Sequence, residues 1–163
     1  MAPRRPGQIA LCRVWVIDAS AGAKLALQER DSDLADRLLA ECVTRRASCL
    51  LVVPDLFFAE CASVLRKAVR AGRLCGDDAN QAMDELVLLG FASVPTRALA
   101  RQALAIATRT GITAYDACYV ALAVEVDGTL VTEDAELRSR VAQGTWRAVS
   151  LADACAAQSA SEV

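Results

Sequence analysis

Val14-Trp15-Val16-Ile17-Asp18 decides the architecture: a short, mostly β-branched apolar run that stops at an acid. A run with no polar interruption reads as a strand buried on both faces, as strands of parallel sheets are. Leu50-Leu51-Val52-Val53 repeats the pattern and is stopped by Pro54, and Thr129-Leu130-Val131-Thr132 repeats it again. Shorter runs at Phe91 to Val94 and at 146–149 complete five strands. Helical patterns lie between them, at 20–28, at 33–46 with Leu34, Leu38, Leu39 and Val43 in phase, and from Asp55 to Ala71, closed by Gly72. Further helices run from Asp77 and Asp78 to Gly90, over 97–109 and 114–126 on either side of Gly111, and over 134–142, with a terminal helical turn after the last strand. Short apolar strands alternating with helices predict an α/β protein, a three-layer α/β/α sandwich around a central, mainly parallel sheet.

The 163 residues, 55% of them apolar, suffice for one domain with one sizeable core. That domain is expected over 13–155. Residues 1–12 read as a disordered leader without a signal-peptide core, and 156–163 as a frayed tail. No uncharged apolar run approaches the ~20 residues of a membrane-spanning helix. Seven cysteines, at 12, 42, 49, 61, 75, 118 and 155, are odd in number and include no C-x-x-C pair. Neither a disulfide framework nor a zinc ribbon is expected, and a reducing cytoplasm fits. The chain has no histidine, which excludes Ser-His-Asp and Cys-His catalysis and every His-containing zinc site.

Chemistry must then come from other groups, and the acids are placed for it. Asp18 directly follows the first strand, and Asp134 lies two residues past the fourth. Strand carboxyl ends are where ligands bind in parallel α/β sheets. Either acid alone is explained as a helix cap. Glu60 falls on the apolar side of its helix, four residues after Leu56 and three after Phe57, where a carboxylate needs a salt-bridge partner or a bound cation. Asp116 is the single charge between Arg109 and Glu125, and Thr113 three residues earlier makes a capping pattern. Capping explains one such acid comfortably, but not all four. Carboxylates without histidine select a hard divalent cation, Mg²⁺ or Mn²⁺, and point to metal-assisted phosphodiester hydrolysis.

Four segments carry a family resemblance: Val16-Ile17-Asp18-Ala19-Ser20; Pro54-x-Leu56-x-x-x-Glu60-x-x-x-Val64-Leu65; Thr113-Ala114-Tyr115-Asp116-Ala117-x-Tyr119-x-x-Leu122-Ala123; and Leu130-Val131-Thr132-x-Asp134. In this order and these contexts they resemble the PIN domain, and within it the VapC-type toxins of toxin–antitoxin pairs, over about residues 14–149. The resemblance implies a Mg²⁺-dependent endoribonuclease (Mn²⁺ being the alternative ion) that hydrolyses RNA by metal-activated water. Asp18, Glu60, Asp116 and Asp134 would be the metal-binding acidic quartet, with Ser20 and Thr132 orienting water or a carboxylate. It also implies a cytoplasmic homodimer inhibited by a VapB-type antitoxin, with the apolar surface of helices 20–28 and 33–46 as the antitoxin's groove. A housekeeping PIN nuclease of RNA processing and a non-catalytic PIN-like binding domain are the alternatives.

A formal charge of −2 provides no global basic field for RNA. The quartet itself supplies four of the negative charges, which bound cations would offset. Arg66, Lys67, Arg70 and Arg73, with Arg45 and Arg46, form local basic groups that read either as solvated faces or as phosphate contacts. Tyr115 and Tyr119 are either base-stacking groups or, with Phe57 and Phe58, core.

Overall fold

The computed structural model of the chain describes residues 12–27, 30–45 and 49–159. Residues 1–11, most of the expected leader, and Arg46 lie outside them. Five strands, β1 (Arg13–Ile17), β2 (Cys49–Pro54), β3 (Ala92–Val94), β4 (Thr129–Val131) and β5 (Ala148–Val149), form one sheet in the order β3-β2-β1-β4-β5. Every neighbouring pair is parallel, with Val16 beside Val52 on one side and Leu130 on the other. The α/β sandwich of the sequence reading is therefore present.

Among the described residues seven helices make the crossovers, α1 (Ala19–Ala26), α2 (Ser32–Thr44), α3 (Leu56–Arg70), α4 (Gly76–Leu88), α5 (Thr96–Thr110), α6 (Ala114–Glu125) and α7 (Ala135–Ala142), and α8 (Leu151–Ser159) follows the last strand. The α6 helix is apolar nearly all round, and Ala117 to Ala123 are all buried where it crosses β1, β2 and β4. A helix without a polar face belongs in the interior. The α2 and α8 helices pack on each other, joining the sheet through β2 and β5. α8 stays helical to Ser159, beyond Ala156, where the tail was expected to begin.

Two local differences from the sequence reading concern the last strand and the cysteines. The last strand is confined to Ala148–Val149, and Trp146 before it lies under the Arg109 guanidinium, 4.6 Å from its ring centroid. Cys42 and Cys49 form a disulfide, which corrects the expectation that no cysteines pair. The end of α2 and the start of β2 bring their Cα atoms to 4.9 Å, within bridging range, although a separation of seven has no sequence signature. On the first two helices Ala21, Ala23, Ala35 and Leu38 are buried in the core, while Leu39, Cys42 and Val43 line an open pocket with β2.

Strand order places the site. From β1 the chain steps one way to β2 and β3, then returns to β4 and β5 on the other side. The carboxyl ends of β1 and β4 thus flank the switch point of the sheet, where a crevice opens between diverging connections.

Candidate active site

Asp18 leaves β1 at that crevice, its backbone N–H donating to Val131 O at 3.1 Å. It caps α1: Oδ1 accepts from the Ala21 N–H at 2.9 Å and from the Ser20 hydroxyl at 2.7 Å. Ser20 Oγ lies 3.2 Å from Thr132 Oγ1 and accepts from the Glu133 N–H at 2.9 Å. Thr132 Oγ1 accepts from the Asp134 N–H at 3.1 Å. A chain of hydroxyls therefore ties the first strand's acid to the fourth strand's acid. Thr132 is fully buried and Asp18 is 6% exposed. Burial drives the Asp18 carboxyl up to about 6, against the opposing hydrogen bonds from Thr132, Ser20 and Ala21.

Glu60 enters from α3, one turn past the helix start, and is half-buried. Tyr119 Oη on α6 donates to Glu60 Oε2 at 2.5 Å. Burial raises the Glu60 carboxyl above its ordinary range; the Tyr119 bond opposes this and the Asp116 charge adds to it. Tyr119, 2% exposed, has its phenol pushed upward by burial and by the Glu60 hydrogen bond and charge, with Asp18 adding a smaller contribution. The neighbouring Cys61 thiol is driven up to about 12 by burial, then by the charges of Glu60 and Asp18, and so stays protonated and inert.

Asp116 sits in the first turn of α6. Its N–H donates to Thr113 Oγ1 at 3.1 Å, and that hydroxyl donates to Asp116 Oδ2 at 2.7 Å. Asp134 caps α7 through Oδ1, which accepts from the Leu137 N–H at 2.9 Å. Asp116, Asp134 and Thr113 line one pocket of about 220 Å³.

A family model described as PIN domain matches residues 15–143. A curated relative, Ribonuclease VapC3 of Pyrobaculum aerophilum, is 35% identical over 128 residues, covering 77% of this chain and 92% of the relative. The chain is a PIN-domain protein of the VapC type. Among solved structures, the fold is similar to PAE2754 from Pyrobaculum aerophilum, with a TM-score of 0.69, 24% identity and 94% of both chains covered. It is also similar to VapBC2 from Rickettsia felis, bound to a DNA fragment from their promoter, with a TM-score of 0.59, 12% identity, and 84% and 98% covered.

In this PIN domain the four acids are joined in pairs. Hydroxyls link Asp18 to Asp134, charge couples Glu60 to Asp116, and a pocket is shared by Asp116 and Asp134. Among the described residues no three of the acids and thiols stand close enough to form a ready-made cluster. Mg²⁺ does not require one, because it takes one or two carboxylates directly and keeps several waters. The donor set fits such an ion: all oxygen, anionic, and centred on a buried carboxylate. Among the described residues no Lys or Arg forms an ion pair with any of the four.

The two tyrosines separate cleanly. Tyr119 is core, and it also holds Glu60, a role that residue type alone did not reveal; an apolar helix carrying a phenol opposite a buried acid was the available signal. Tyr115 stands 66% exposed beside Asp116. Arg66, Lys67, Arg70 and Arg73 are exposed at the far end of α3 and beyond it, away from the turn that carries Glu60.

Proposed function

We propose that this PIN domain is a divalent-metal-dependent endoribonuclease, acting as the toxin of a toxin–antitoxin pair. The observation that carries the reading is Asp18, a buried carboxylate at the switch point with no cation paired to it among the described residues, tied through the Ser20 and Thr132 hydroxyls to Asp134, which shares a pocket with Asp116. Support comes also from the 35% identity to a protein named as a ribonuclease of the VapC type. A Mg²⁺ or Mn²⁺ ion held by Asp18, Glu60, Asp116 and Asp134 would supply Lewis-acid stabilisation and an activated water for phosphodiester hydrolysis.

The chain's own residues do the positioning. Ser20 and Thr132 fix the Asp18 carboxylate and its link to Asp134, and Tyr119 fixes the rotamer of Glu60. With Thr132 fully buried and Asp18 nearly so, the inner end of the site has little water to compete for the ligands. Inhibition by a VapB-type antitoxin, assembly as a homodimer and a cytoplasmic location belong to the same proposal. The paired Cys42 and Cys49 remove the earlier argument from unpaired thiols for that location.

Purified protein, freed of any antitoxin, is expected to cleave single-stranded RNA with Mg²⁺ or Mn²⁺ and not with EDTA. Asp116→Asn is expected to abolish cleavage while keeping the wild-type melting temperature. Absence of metal-dependent cleavage by the wild type would overturn the reading.

A further inference from the structure

The pocket shared by Asp116 and Asp134 has one cation on its wall among the described residues, Arg140 of α7. Its guanidinium is held from two elements. Glu136 Oε1 accepts from Nε at 3.1 Å and from Nη2 at 2.8 Å, and Thr110 O, at the end of α5, accepts from Nη1 at 3.3 Å. Gly111, in the left-handed conformation that ends α5 (φ 72°), lies beside Nη1. Three of the five N–H groups are thus engaged. Nη1 and Nη2 each keep one N–H with no protein partner among the described residues.

The Arg140–Glu136 pair alone would be an ordinary i,i+4 surface contact of little weight. Two observations go beyond that. The Thr110 carbonyl fixes the side chain from another helix, and the side chain remains 43% exposed on the wall of a pocket holding two of the four acids. A planar fork immobilised in advance loses little entropy when it meets an anion, and its spare donors match two phosphate oxygens. The geometry points to Arg140 as a phosphate-binding residue of the nuclease site, holding the non-bridging oxygens of an RNA phosphodiester beside Asp116 and Asp134. This inference rests on the ribonuclease reading above. It gives an acidic pocket the one fixed positive group that a polyanion can meet there.

Steady-state cleavage of a fluorescent single-stranded RNA, in Mg²⁺ and between 50 and 200 mM KCl, tests it with wild type, Arg140→Ala and Arg140→Lys. Loss of a charge-assisted phosphate contact is expected to raise KM about tenfold or more in Arg140→Ala. The same variant should make log KM less steep against log salt by about 0.7. Arg140→Lys keeps the charge without the fork, so the salt slope should return while most of the KM defect stays. Should Arg140→Ala melt below the assay temperature, the Arg140→Lys comparison decides by its KM. An active wild type beside an Arg140→Ala enzyme with unchanged KM and unchanged slope overturns this inference alone. A wild type that cleaves no RNA overturns the ribonuclease reading, and this inference with it.

Discussion

Asp18→Asn should make the metal-free protein more stable while removing its function. The substitution keeps nearly the same shape. An Asn Oδ1 accepts from the Ala21 N–H and the Ser20 hydroxyl as the carboxylate does, so the α1 cap survives. What changes is charge at a 6% exposed position. The rise of the Asp18 carboxyl from 3.8 to about 6 corresponds to about 3 kcal/mol between its neutral and ionised forms. The sign follows from linkage. A carboxyl raised in the folded state binds its proton more tightly there than in the unfolded chain, so ionisation weakens the fold. That penalty is fully present above about pH 7, shrinks as pH falls through 6, and is gone below about 4.

In EDTA at pH 7.5, Asp18→Asn should therefore be up to about 3 kcal/mol more stable than wild type, or about 6–12 °C in Tm for a chain of this size. The advantage should vanish by pH 4. Because the comparison is a difference, other groups with shifted titration cancel, including Asp55, whose carboxyl is lowered by its bonds to Thr96. Saturating Mg²⁺ or Mn²⁺ should reverse the order, since only the wild type gains binding free energy, about 2.7 kcal/mol at a hundred times Kd. The assay is urea unfolding followed by circular dichroism, at pH 7.5 and 3.5, with EDTA or metal. A metal-free Asp18→Asn less stable than wild type at pH 7.5 would refute the claim that the buried charge lacks a cation. A wild type indifferent to metal would refute its assignment as a ligand.

Gly22→Ala should destabilise the fold by about 1–3 kcal/mol despite better helix propensity, because the new Cβ would stand 2.3 Å from the buried Phe57 ring; Gly76→Ala, with nothing within 4 Å of its Cβ, should be neutral or stabilising by up to about 1 kcal/mol, and equal melting temperatures for the two would refute the packing argument. Tyr115→Ala should weaken binding of a fluorescein-labelled single-stranded RNA by about 1–3 kcal/mol, with Tyr115→Trp retaining it, if the exposed ring beside Asp116 stacks on a base; equal anisotropy titrations for all three proteins would refute that.

The elements were legible because buried strands and amphipathic helices write their period directly into the chain. β1, β2, α3 and α6 lie within two residues of where the sequence puts them. Strand order was not legible: nothing local says that β4 returns to the far side of β1, and that step creates the crevice. The acids were legible as unusual residues at strand ends, but their linkage was not. The bond from Tyr119 to Glu60 spans 59 positions and that between Ser20 and Thr132 spans 112. The disulfide escaped for the same reason, since the packing of α2 on β2 brings Cys42 to Cys49. An apolar stripe does not say what it faces, and here the core takes Ala21, Ala35 and Leu38 while Leu39 and Val43 line an open pocket.

The sequence posed a choice for three of these acids, helix cap or functional ligand, and the structure shows that capping does not exclude the second role. Asp18 and Asp134 each give Oδ1 to the first turn of a helix, and Asp116 gives Oδ2 to the Thr113 hydroxyl that caps α6. Asp134 Oδ2 and Asp116 Oδ1 take no hydrogen bond from the described residues. A cap spends one oxygen and fixes the plane of the other, so a carboxylate anchored at a helix N-terminus is preorganised to bind outward. Glu60 has no helix end to lean on, and Tyr119 does for it what the caps do for the others. Two of these helices, α1 and α7, begin at the carboxyl edge of the parallel sheet because a crossover starts there, while α6 follows α5. Parallel topology, helix capping and the absence of histidine therefore converge on one consequence. The anchored groups are all oxygen and all anionic, and a phosphodiester can approach them only with cations in attendance.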